Sequence, residues 1–102
     1  MITVSIGELE KECDRGIEKW IAEQFKQRRK NGEQICVIVT VKKGDVDVLL
    51  STPGCAGGGV GGRQPNSQEQ QILEIWSKLH LNTSEFTQGN LIAFLERVRD
   101  LG

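Results

Sequence analysis

The sequence predicts a small α+β domain: a mixed sheet of two or three strands, one long N-terminal helix and a C-terminal helical hairpin, in the order β–α–β–β–α–α. Three observations carry this reading. The run QICVIVTV (34–41) is dense in β-branched residues, which pack well on a pleated surface. Three segments, 8–31, 66–81 and 90–101, repeat apolar side chains at steps of three and four, the spacing of amphipathic helices. With 102 residues, 37% hydrophobic and 26% charged, the chain is long enough for one core and too short for two. Residues 1–102 therefore read as a single domain.

The elements follow in order. ITVSI (2–6) alternates apolar and polar residues with period two, as a short strand does. Gly7 interrupts it, and a helix is expected from there, with Ser5 and Glu8 at capping-box spacing. Leu9, Cys13, Ile17, Trp20, Ile21 and Phe25 form its stripe. Gly16 weakens its middle, and Gly32 suits a left-handed C-terminal cap. At roughly 24 residues this helix would be about 36 Å long. Ile35, Val37, Val39 and Val41 oppose Cys36 and Ile38 in the next run, so an interior strand is expected, covered on both faces at least in part. DVDVLLS (45–51) places Val46, Val48 and Leu50 on one side and its acids on the other, as an edge strand would. KKGD between them predicts a type I turn with a glycine bulge.

After the loop at 53–65, NSQEQQILEIWSKLHL reads as a helix capped by Asn66 or Ser67, with Ile72, Leu73, Ile75, Trp76 and Leu79 on its apolar face. The last helix, NLIAFLERVRDL, carries Leu91, Phe94, Leu95, Val98 and Leu101 on one stripe, with Thr87 as its cap. Arg97 and Arg99 lie near its C-terminus, where the helix dipole favours cations. In the predicted topology the first strand pairs in parallel with another strand through a crossover helix.

Composition narrows the function classes. A net charge of −1 lacks the basic surplus of a nucleic-acid-binding domain, and no apolar run approaches the roughly 20 residues that span a bilayer. The N-terminal stretch has no basic region followed by an apolar one. Cys13, Cys36 and Cys55 form no disulfide framework, and Cys36 in its apolar run reads as a reduced small hydrophobe. Together these give the expectation of a cytoplasmic protein in a reducing compartment, with no membrane role.

The loop PGCAGGGVGGRQP (53–65) is the segment that most resembles a site. Gly57, Gly59 and Gly62 match G-x-G-x-x-G, but a window with five glycines in six residues satisfies that pattern almost automatically. A dinucleotide-binding turn would open the next helix directly, and a P-loop would end in lysine and a hydroxyl residue. This loop ends in Arg63, Gln64 and Pro65. What remains is a flexible connector, with Cys55, Gly57, Gly59, Gly62 and Arg63 as its candidate anion or small-molecule site. Catalysis at Cys55 would need a base, and His80, the sole histidine, stands at the far end of the next helix. One histidine and three unpaired cysteines supply no structural zinc ligand set, so no metal and no cofactor are expected.

Two surface features complete the reading. Lys26, Arg28, Arg29 and Lys30 form the one basic patch, explained equally by the dipole of the helix they end. Trp20, Ile21, Phe25 and Trp76 are the candidate interface, set against the alternative that they fill the core. The reading is a non-enzymatic intracellular interaction module, an adaptor or regulatory subunit that binds a protein partner or itself. Its alternative is an anion- or small-molecule-binding domain, or a minimal enzyme, built on the glycine loop.

Overall fold

The computed structural model describes residues 1–53 and 66–100. They form seven elements: β1 (Ile2–Ile6), β2 (Leu9–Glu12), α1 (Ile17–Lys30), β3 (Val37–Lys43), β4 (Val46–Ser51), α2 (Ser67–Lys78) and α3 (Gln88–Asp100). The α+β class stands as predicted, and three helices occur in the expected order, although the first is not the long helix expected. The sheet differs, having four strands in the order β2-β1-β3-β4 with every neighbouring pair antiparallel.

The difference begins at Gly7. Its φ of +62 turns the chain back, so that Ile6 pairs with Leu9 across a loop of Gly7 and Glu8. Residues 9–12, expected in the helix, become β2 instead. The second hairpin repeats the device, with Lys43 pairing with Val46 across Gly44 and Asp45, and Gly44 at φ +58. Two-residue loops with glycine first match the twist of the flanking strands, so no bulge is needed. A crossover survives in another form. α1 joins β2 to β3, which run parallel to each other with β1 between them.

With β2 and the turn after it in place of its expected start, α1 is 14 residues, about 21 Å. Gly16, expected in mid-helix, is its N-cap. Its C-terminus is as predicted. Gly32 at φ +68 donates to Arg29 O and Glu33 N donates to Arg28 O, a complete Schellman motif. α2 ends the same way without a glycine: His80 sits at φ +59, with His80 N on Ser77 O and Leu81 N on Trp76 O.

One sheet face builds the core. Val4, Ile6, Val37, Val39, Val41, Val48 and Leu50 are buried there against Ile17, Ile21 and Phe25 of α1, Ile72 and Trp76 of α2, and Leu91, Phe94 and Leu95 of α3. Trp76 meets Phe94 edge-on at 5.0 Å between ring centres. The other face carries Thr3, Ser5, Ile38, Thr40 and Leu49, none of them buried. β3 is thus an interior strand, fully buried on its core face and half-buried at Ile38 and Thr40 on the other, the partial second cover its apolar run predicted.

Cys36, just before β3, is disulfide-bonded, while Cys13 is free. The expectation of a reduced Cys36 is thus overturned, and the argument from cysteines to a reducing compartment loses its footing. No helix among the described residues is long and apolar enough to cross a membrane.

Candidate functional site

A cavity of about 580 Å³ opens where the β3–β4 hairpin meets the start of α2 and the end of α3. Its floor is apolar. Ile2 and Val41 are cross-strand partners on the core face, and Val46, Ile72 and Val98 complete the lining beside them. The rim is polar, with Gln68 and Gln71 from α2, Lys43 and Asp45 from the hairpin, and Arg99 from the last turn of α3. Gln68, Gln71 and Ile72 share one α2 face because residues three and four apart are neighbours on a helix.

The start of α2, which supplies part of this rim, is fixed by a cap. Asn66 Oδ1 accepts from Glu69 N at 2.9 Å while Glu69 Oε1 accepts from Asn66 N at 2.9 Å. The sequence offered Asn66 or Ser67, and the structure chooses Asn66 with Glu69 as its reciprocal partner. The second oxygen of the buried Glu69 accepts from Asp47 N at 3.0 Å, and Asn66 Nδ2 donates to Asp45 O. One carboxylate thereby caps α2 and fixes that helix against the outer edge of β4.

Cys13 lines the same cavity. Burial pushes its thiol up from the ordinary value, Arg99 pulls the other way, and Asp14 adds to the rise. The thiol is therefore protonated at neutral pH and is a poor nucleophile. Among the described residues lining the cavity there is no histidine. Nor do three His, Cys, Asp or Glu side chains gather as a metal site among the described residues.

None of the candidate site residues singled out from the sequence is among the described lining of this cavity. Cys55, Gly57, Gly59, Gly62 and Arg63 fall outside the described residues, as does all of the 53–65 loop except Pro53. Ile21, Phe25 and Trp76 are at most 5% exposed, and Trp20 is half-buried. These side chains fill the core, so the proposed interface loses three of its four members. The basic patch is also divided. Arg28 Nη2 donates to Ile6 O at 3.1 Å, and the Arg29 guanidinium lies 5.9 Å from the centre of the Phe25 ring. Lys26 and Lys30 are exposed. Phe25 and Arg29 also line a smaller cavity of about 260 Å³ at the opposite end of the sheet, beside Phe86.

Set against protein-family models, curated proteins and solved structures, the chain matches none.

Proposed function

We propose that this chain is a non-enzymatic binding domain that takes a small ligand in the cavity between the β3–β4 hairpin, α2 and α3. The observation that carries this is the cavity's form: about 580 Å³ with an apolar floor and a polar rim. Ligand sites commonly occupy roughly 300–1,000 Å³ and combine apolar walls with a few polar groups. The smaller cavity lies below that range. A binding role fits better than a catalytic one, because the thiol in the cavity is held protonated. Protein interaction, the first reading from sequence, would need a surface other than Ile21, Phe25 and Trp76, which the core consumes.

A fragment screen by protein NMR tests the reading. Small amphipathic compounds should shift the amide signals of Val46, Ile72 and Val98 together. Hits that shift only signals around Phe86 and Ile35, or none at all, would overturn it.

A further inference from the structure

We propose that Asn31–Gly32, at the end of α1, is a site of spontaneous deamidation which the fold keeps closed until the last turn of α1 frays. The chain has four asparagines, and only Asn31 is followed by glycine. A residue without a Cβ leaves its amide nitrogen open to the preceding side chain. In the reaction Gly32 N bonds to the Asn31 side-chain carbonyl carbon, and the side-chain nitrogen leaves as ammonia with the Gly32 amide proton. Water then opens the five-membered imide at either carbonyl. The products are aspartate and iso-aspartate, the second routing the backbone through one more carbon. Asn31 and Gly32 are both exposed, so water reaches them.

Ring closure requires Gly32 N to eclipse the Asn31 Cβ about the Cα–C bond. At a ψ of −3 it eclipses Asn31 N instead, about a third of a turn away on the tetrahedral Cα. To reach the side chain, the Gly32 peptide must rotate. That rotation breaks the bonds from Gly32 N to Arg29 O and from Glu33 N to Arg28 O, which are the cap itself. Conversion in turn removes the cap. An added backbone carbon puts the two bonds out of register, and a carboxylate there faces the negative end of the helix dipole. Arg28 belongs to the same turn and holds Ile6 O over Gly7, so the β1–β2 loop loosens with it.

The full chain is held in mildly alkaline buffer, folded and in denaturing urea, and amide-to-acid conversion at residue 31 is followed by peptide mass mapping. The folded rate should be at least about tenfold below the urea rate, because two hydrogen bonds must open first. Lys30→Gly, at an exposed position of the last turn, should raise the folded rate about fourfold and leave the urea rate within about twofold. Converted chain, separated by its extra charge, should melt several degrees below unconverted chain. No conversion in urea overturns the site. Equal folded and urea rates, or a folded rate unmoved by Lys30→Gly, overturn its gating by α1. An unchanged melting temperature overturns the loss of the cap.

Discussion

At β4 the outer edge of the sheet is closed by a helix: Asp47 N donates to the Glu69 carboxylate and Asp45 O accepts from Asn66. At β2, the opposite edge, Leu9, Glu10 and Glu12 face solvent. Both edges present the same hazard, a row of backbone groups able to pair with another chain. The first is answered by structure and the second by charge. A helix cap that also serves a strand edge ties two elements into one unit, so its loss is felt in stability. The exposed Glu10 and Glu12 carboxylates on a four-residue edge strand tie no second element to it, so their loss is felt in association.

That contrast orders the expected effects. Glu69→Ala strands the N–H groups of Asp47 and Asn66 together and should cost about 3 kcal/mol, read by denaturant unfolding. Should the loss stay below about 1 kcal/mol, the cap does not join the helix to the edge. Thr52→Val comes next. The buried Thr52 continues β4 beyond its last strand residue, its Oγ1 accepting from Val37 N at 3.0 Å and its N–H donating to Val37 O. Removing the hydroxyl should cost about 2 kcal/mol. Asn66→Ala deletes the α2 cap but leaves the carboxylate on Asp47, for about 1 kcal/mol by thermal melt. Glu10→Thr with Glu12→Val should leave stability within about 0.5 kcal/mol. Those changes should instead raise the apparent mass in light scattering as concentration increases, and a monomer at all concentrations would show that charge does not guard this edge.

The same contrast explains what was legible in the sequence. α2, α3 and the β3–β4 pair were readable because each satisfies a single local rule over many residues. β2 was not, because Leu9 and Cys13 stand at steps of four from Ile17 and Ile21, a helical spacing that hid a short strand. The signal that competes with it is Gly7-Glu8, which repeats the Gly44-Asp45 pattern of the other hairpin. His80 left no trace as a helix end, because the left-handed position it fills normally calls for glycine. Trp20, Ile21, Phe25 and Trp76 were correctly placed on apolar faces, but periodicity tells which face a residue occupies and not whether that face meets the core or a partner. The cavity was invisible for a further reason. Its lining comes from three strands, the residue before β1, the residue after β2, a hairpin loop and two helices. None of those residues departs from what an ordinary core or rim position would hold.

Arg28 lies over Gly7, its guanidinium occupying the space a Cβ there would need while it bonds the Ile6 carbonyl. Positions 7 and 28, which are 21 apart in the sequence, therefore share one volume in space. A side chain at 7 has room only after the arginine is displaced, and without the arginine the turn keeps its glycine only for the sake of φ. The dependence runs one way: Arg28 can be exchanged with Gly7 kept, whereas a side chain at 7 must overcome both the φ of +62 and the guanidinium.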